Sequence, residues 1–427
     1  MSCLKTQYFS INRILLLMIG SWPYKQSTFV RLQLILLYSI VTSFIIFQFT
    51  AFVTSKFTPE IVIEIFSNTF FFILCMFQYN AFTFNLKIIK NLLEILQHIY
   101  DELRDEGEVA IIEKYWIIAR RYAVVLTVLA SFGCIALLIL PHIMYAVSLT
   151  NESQSFSLLI ITEYFIDKER YSYLIVLHAN AAICIVITAI LATGSMIIMY
   201  FQHACGMFKI ASYRIEQAMM KINLETNTKN TNMVYIGIVY AVDMHRKAMQ
   251  FVNLLMSTIN ISMALFAVAS VICASLNLFR IFQEVNCGFN IKKMSLPIVF
   301  LCAIYVYLFC ANLMGQIIMD HNNDIFVTAY NVKWYVASLH IQRLILFLLQ
   351  RGTKRFHLII AGMFVGCFEG FATVKFILCI NVFYVVYFNF TRKMSFITAN
   401  DRINILLYRH LFYKPIYKVI LYKIKKN

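Results

Sequence analysis

The side chains that most often do chemistry are present in this sequence but are not arranged to do it. Nine histidines and eleven cysteines are dispersed over 427 residues. There is no His-Glu-x-x-His pair for zinc, no Gly-x-Ser-x-Gly elbow for a nucleophile and no Gly-x-x-x-x-Gly-Lys-Ser/Thr loop for phosphate. No Cys-x-x-Cys pair occurs, so neither zinc nor redox chemistry is indicated. Eight cysteines (Cys75, Cys134, Cys184, Cys273, Cys302, Cys310, Cys367 and Cys379) lie in apolar runs, where packing as small hydrophobes is their expected role. His142 and His178 are the histidines best placed to face the outer half of a helix bundle. A lone histidine there is more often a hydrogen-bond partner between helices than a ligand or catalyst. Acids inside apolar runs are few, Glu64 and Glu369 among them. These patterns predict no enzyme, no cofactor and no metal site. Asn151-Glu152-Ser153, just after the third apolar run, is a glycosylation acceptor; Asn260 and Asn389 begin similar triplets, inside one run and at the end of another.

Composition names the solvent. The chain is 61% hydrophobic and 14% charged, against roughly 45–50% and 25% in soluble domains. Twelve glycines and five prolines are too few for a disordered or loop-rich chain. The excess apolar surface calls for a bilayer, where a helix satisfies its own backbone groups. The net charge of +16 does not point to nucleic acid, because the basic residues are scattered through short loops rather than gathered on a helix or an aromatic platform. Loops facing an anionic cytoplasmic leaflet explain them.

Crossing a bilayer takes about 20 apolar residues. Seven stretches qualify: 31–53, 61–84, 122–149, 174–201, 253–280, 294–319 and 357–390. The short run at 14–20 is followed by SWPYK rather than a cleavage site and reads as an interfacial helix. With the N-terminus inside, the inner segments hold twenty-one Lys and Arg and the outer loops hold six, leaving aside the tail. That orientation also puts Asn151 outside. Segment 85–121 carries Leu92, Leu93, Leu96 and Ile99 at helical spacing, so the spans are expected to continue as helices into the cytosol. The expected fold is therefore an all-α integral membrane protein with seven transmembrane helices and a cytoplasmic N-terminus. Its C-terminus falls outside, the reverse of a G-protein-coupled receptor, the main alternative for seven spans. Glu169-Arg170-Tyr171 copies a triplet of those receptors but lies in an outer loop. A transporter is disfavoured, since no Gly/Pro-broken helices occur in paired halves.

Three stretches resemble the insect odorant receptor family: LLLMIGSWPY at 15–24, the run from Leu174 to Met219, and AYNVKWYVASLHIQRLILFLLQRGTK at 329–354. The third is the most specific, and the wording is closest in look to hymenopteran, ant-like members. The resemblance implies an odorant-binding subunit of a ligand-gated, non-selective cation channel in the plasma membrane of an olfactory neuron dendrite. It implies assembly with a shared co-receptor as a hetero-tetramer, and a small volatile or cuticular apolar ligand. The implied layout is a cytoplasmic segment at 1–30, a six-span bundle at 31–319 with the odorant pocket in its outer half, an anchor at 320–356 and a pore-lining span at 357–390. A pocket for such ligands should be aromatic and aliphatic with one or two polar groups. The outer-half candidates are Asn68, Phe71, Phe72, His142, Tyr145, Tyr173, Leu177, Phe300 and Tyr305. Tyr330, Trp334, Tyr335, Leu344 and Leu348 are the anchor candidates. Beside ligand and co-receptor, the expected partner is membrane lipid; nucleic acid is not.

The resemblance stops abruptly between Val374 and Lys375. Residues 391–427 hold nine basic residues and one acid, against the orientation rule that the rest obeys. Rich in Lys, Ile, Asn, Phe and Tyr, the residues of AT-rich codons, the segment from about Lys375 onward is expected to be translated from an intron or a misjoined exon.

Overall fold

Long apolar runs with few glycines and prolines have one way to satisfy their backbone in lipid, and that is helix. The computed structural model describes residues 6–25, 27–54, 58–148, 160–167, 170–220, 228–287, 291–353, 356–360, 364–370 and 372–373. Helix α1 is Thr6–Met18, α2 Thr28–Phe49, α3 Ala51–Thr54, α4 Pro59–Phe84 and α5 Leu86–Glu102. The four long helices are α6 Glu106–Ser148, α7 Ser172–Met220, α8 Thr228–Cys287 and α9 Ile291–Asn331. A 3₁₀ turn at Trp334–Val336, helix α10 Leu339–Gly352 and strands β1 Ile359–Ile360 and β2 Phe364–Val365 follow. Among the described residues, six helices are long and apolar enough to cross a membrane.

Local chemistry sets the helix starts. Ser27 caps α2 by accepting from the Val30 amide, and Thr58 caps α4 by accepting from Ile61 with Pro59 in the first turn. Glu106 and Glu108 sit in the first turn of α6, where carboxylates suit the helix dipole. Helix α1 ends at Gly20, φ +70°, with Ser21 N–H donating to Leu16 and Gly20 N–H to Leu17. That left-handed residue needs glycine.

Helix α7 is the axis of the fold. From Ser195 to Phe208 every residue is buried, so it is packed on all sides. At 49 to 60 residues, α7 and α8 are about 74 and 90 Å long, far beyond a bilayer core of about 30 Å. The surplus lies at one end. Arg214 of α7 holds both oxygens of Glu108 at the start of α6, at 2.6 and 2.8 Å. Tyr115 of α6 meets His321 of α9 at 2.6 Å, and His245 of α8 meets Asn322 at 2.9 Å. Lys247 of α8 reaches Glu102 of α5 at 2.8 Å and holds that carboxyl below its ordinary pKa. These contacts make a helical collar, α5 and α10 included, continuous with the spans.

Two expectations change. The N-terminal run is not an isolated interfacial helix from residue 14. Its helix begins at Thr6 and packs into the bundle, because Phe9, Asn12, Leu16 and Ile19 form one buried stripe, with Phe9 edge-on to Trp116 at 5.5 Å. The seventh run does not begin as helix at 357. Ile359–Ile360 and Phe364–Val365 pair antiparallel, Ile359 opposite Val365. Gly366 N–H then donates to the Leu358 carbonyl at 2.8 Å. Within that run 361–363, 371 and all residues from Val374 onward lie outside the described residues, as do the tail at 391–427, the segment from Lys375 onward and Asn151. Helix α9 carries through from the sixth expected span to Asn331, so the expected anchor segment at 320–356 begins within that helix.

Candidate functional site

The elements around α7 line an apolar cavity of about 410 Å³. Contacts between helices divide it into three levels. At the first, the Phe71 ring of α4 stacks on Phe300 of α9, centroids 4.0 Å apart and 5° from parallel. Cys134 of α6 and Cys184 of α7 bring their sulfurs to 3.7 Å at the same end. At the second, Phe266 of α8 packs on Tyr307 of α9 at 4.3 Å. Gly194 of α7 faces the same ring, and a Cβ there would stand 3.7 Å from Tyr307 Cε2. At the third, Gln202 of α7 donates to the Met314 sulfur at 3.6 Å. There Gly315 of α9 abuts Gly366 so closely that a methyl at 315 would collide with the Gly366 carbonyl.

Helical phase makes this wall. On α9 the lining residues Val299, Phe300, Ala303, Tyr307, Ala311 and Met314 recur every three or four positions. On α7 the lining runs from Ile183 to Phe201. Among the described lining residues none is charged, amide or imidazole. The hydroxyls are two. Ser195 spends its own on the Ala192 carbonyl at 3.3 Å, and Tyr307 keeps its hydroxyl buried with no partner among the described groups. Leu358, Ile360 and Gly366 close the third level, so the segment leading to the last expected span is the floor of the cavity.

Polar chemistry gathers beyond the first level. Arg280 of α8 is buried and holds Ser67 Oγ at 2.9 Å, Asn68 Oδ1 at 2.8 Å and Glu64 Oε1 at 2.9 Å, all on α4. On the other side, His178 of α7 lies 3.2 Å from the Ile40 carbonyl and 2.7 Å from the Tyr164 hydroxyl. An Nε2–H donating to Ile40 leaves Nδ1 to accept from Tyr164. Tyr164 stacks on Phe47 at 4.2 Å, and Thr50 Oγ1 donates to the Glu163 carbonyl at 2.6 Å. The 160–167 segment is thereby strapped across α2 and α7.

The sequence candidates scatter around this geometry. Phe71, Phe72 and Phe300 line the cavity. Asn68 stands one turn away in the Arg280 cluster. Tyr305 falls on the face of α9 opposite Ala303 and Tyr307, out of phase with the lining. Tyr173 is 89% exposed and Leu177 65%, both in the first turns of α7, away from the cavity. His142 and Tyr145 lie on α6, with side chains outside the described ones. The cavity runs along α9 from Val299 to Gly315 and along α7 from Ile183 to Phe201, reaching toward the collar. Sequence reasoning missed Tyr307, Gly194, Gly315 and the β-pair; the stripe of small residues Ala303, Ala311 and Gly315 on α9 was the available signal. In the anchor segment, Leu348 is buried, Leu344 and Trp334 pack on the core, and Tyr330 and Tyr335 point outward.

Comparison with known proteins sets this geometry in context. A model of the 7tm odorant receptor family matches residues 58–378. No curated protein is significantly similar in sequence. Among solved structures, the olfactory receptor OR5 of Machilis hrabei in complex with eugenol superposes with a TM-score of 0.71 at 16% identity, covering 90% of this chain and 98% of that one. A second structure of the same receptor gives 0.67 at 15% identity, covering 90% of this chain and 97% of that one.

Proposed function

The chain belongs to the 7tm odorant receptor family, and on that premise we propose that it is the odorant-binding subunit of a ligand-gated, non-selective cation channel. What carries the reading is the apolar cavity whose floor is the segment leading to the last span. A ligand there touches five helices and that floor at once, so occupancy and the position of the last span are mechanically joined. The odorant lies below the Phe71–Phe300 stack, against Phe72 and Tyr307. Neither the G-protein-coupled alternative nor a transporter gains any support from the family match.

The channel is a hetero-tetramer with the shared co-receptor in the dendritic plasma membrane of an olfactory neuron. Its collar and anchor face the cytosol, the N-terminus is inside, and Asn151 is outside. The aromatic and aliphatic face of the anchor that this chain leaves bare, Tyr330, Tyr335, Leu339 and Phe347, meets neighbouring subunits. Trp334, Leu344 and Leu348 hold that face to the core. Expressed alone, the chain should give no odorant current; with the co-receptor it should, and blocking G-proteins should leave the current intact. Odorant currents without a partner, or their loss under G-protein block, would end this reading. An epitope at the N-terminus should be reached by antibody only after the cell is permeabilised.

A further inference from the structure

Two cysteines that stand fifty positions apart in the sequence meet in the cavity wall. Cys134 belongs to the lining, between Gly133 and Leu137, and Cys184 follows Ile183, which lines it too. Their sulfurs are 3.7 Å apart, and neither residue is fully buried. Small side chains bring the two helices together there. Thr127, Ala130 and Cys134 recur every three or four positions on α6, and so do Ala181, Cys184 and Thr188 on α7. Small residues at that spacing let membrane helices approach closely. The two threonines turn back on their own helices, donating to the Ala123 and Cys184 carbonyls at 2.7 and 2.8 Å. Among the described residues no other two sulfurs are in hydrogen-bonding contact. Cys75, Cys205 and Cys273 are buried, and Cys302 and Cys310 line the cavity from α9.

The pair is close enough to be joined. A disulfide bond is about 2.05 Å long, so the sulfurs have about 1.7 Å to close. Rotation about a single Cα–Cβ bond moves a sulfur farther than that. A Cβ at the neighbouring Gly133 would meet nothing within 4 Å, so this part of the α6 wall has room to adjust. Thiol and disulfide are both neutral and suit the apolar wall. A sulfinate or sulfonate would be a bare charge among lining residues of which none described is charged. The wall therefore favours closure over deeper oxidation. It also offers no described carboxylate or imidazole to ionise either thiol, and the thiolate is the reactive form. Closure is accordingly slow, and it registers accumulated exposure rather than a single pulse. The oxidant has to enter an apolar cavity, which suits an organic hydroperoxide, a hydrocarbon with one small polar group.

Resting on the odorant-cavity reading above, we propose that Cys134 and Cys184 are a redox modification site, closed to a disulfide inside the cavity by an organic hydroperoxide. One thiol sulfur attacks the peroxide oxygen that bears hydrogen. The O–O bond breaks, the alcohol leaves with the thiol proton, and that cysteine becomes a sulfenic acid. The second sulfur then attacks the sulfenic sulfur. The S–S bond forms, the S–O bond breaks, and water leaves with the second thiol proton. Two thiols are oxidised, and one hydroperoxide is reduced to one alcohol and one water. The bond pins α6 to α7 at the first level of the cavity, so the wall no longer adjusts to a ligand and odorant sensitivity falls.

The test uses the full chain co-expressed with its co-receptor. Cells are treated with cumene hydroperoxide, and the unreduced protein is digested and mapped by mass spectrometry. In a second arm the purified complex sits in nanodiscs seeded with a phospholipid hydroperoxide. A linked peptide pair holding Cys134 and Cys184, released by dithiothreitol, is expected. Its appearance in either arm supports the site, and the arm identifies the source of the oxidant. Its absence from both overturns the proposal, as does a sulfonate at Cys134 in its place. Currents evoked by a panel of small alcohols and esters supply the second readout. Treatment should lower wild-type sensitivity at least about fivefold, and dithiothreitol should restore it. Cys134→Ser and Cys184→Ser, each compared with its own untreated response, should show no such fall. A fall of the same size in both variants would assign the effect to another thiol, Cys302 or Cys310, and overturn the proposal. A disulfide that leaves sensitivity unchanged would remove the pinning. If no compound gives current before treatment, the functional reading fails, and the peptide map alone still decides whether the two cysteines join.

Discussion

Arg280 is a charge that lipid tolerates because it is never alone. Its guanidinium is met by Glu64, Ser67 and Asn68 within 2.9 Å. Removing one partner strands the other, and breaking a buried pair costs about 3–5 kcal/mol, whereas replacing both by groups of similar volume is often close to neutral. Arg280→Met should therefore lower the melting temperature and surface yield sharply, and adding Glu64→Gln should recover much of both. Equal stability in the single and double variants would mean that the cluster does not hold α4 to α8. In the cavity, Phe300→Ala removes the ring on which Phe71 stacks and should cost about 3 kcal/mol or more of stability or ligand sensitivity, while Tyr305→Ala should leave tuning unchanged. A swap of those two outcomes in an odorant panel would place the ligand on the other face of α9. At this scale the sequence is legible by type but not by phase. Phe71, Phe72 and Phe300 could be picked as aromatics near the right depth; Tyr305 and Tyr307 are the same residue two positions apart, and only the packing of α9 decides which faces inward.

The spans themselves are the most legible part, because hydropathy measures the one property the bilayer selects. Their ends are less so. Helix α6 begins at Glu106 and α7 ends at Met220, since outside the lipid the helices continue wherever a collar neighbour can bury one face, and that partner is remote in sequence. The β-pair at 359–365 was invisible for a related reason: Ile-Ile and Phe-Val read as one more apolar run, and what turns them is packing against Gly315. That contact makes its own prediction. A methyl at Gly315 must push the Gly366 backbone aside, and overpacking of this kind costs about 1–3 kcal/mol. Gly315→Ala should therefore shift gating, either opening the channel without odorant or reducing odorant sensitivity about five- to a hundredfold. Gly133→Ala, on the same cavity without a clash, is the matched control. Wild-type dose–response curves for Gly315→Ala would sever the cavity floor from the gate.

For the whole molecule, the collar does the holding and one of its faces is left over. Leu339 and Phe347 of α10 are 62% and 73% exposed, while Ile341, Ile345 and Leu348 on the other side are buried. Changing Leu339 and Phe347 together to lysine should leave this chain folded and abolish co-precipitation with the co-receptor; intact complexes from that variant would move the interface elsewhere. The aromatic cluster at Trp334 and Tyr335 marked this region in the sequence, but a helix with two apolar sides does not say which one faces its own core. The collar also has a history, because its halves are made at different times. Tyr115 finds His321 only 206 positions later, and Glu108 waits 106 positions for Arg214. During synthesis the early spans are seated in lipid while the buried flank of α7 at Met207, Phe208 and Ala211 still lacks part of its cover. The ribosome must deliver α9 before α7 has its full set of neighbours. A chain halted before residue 291 would carry five of the candidate spans and a bare, greasy stump beyond them, the surface that chaperones hold and proteases clear.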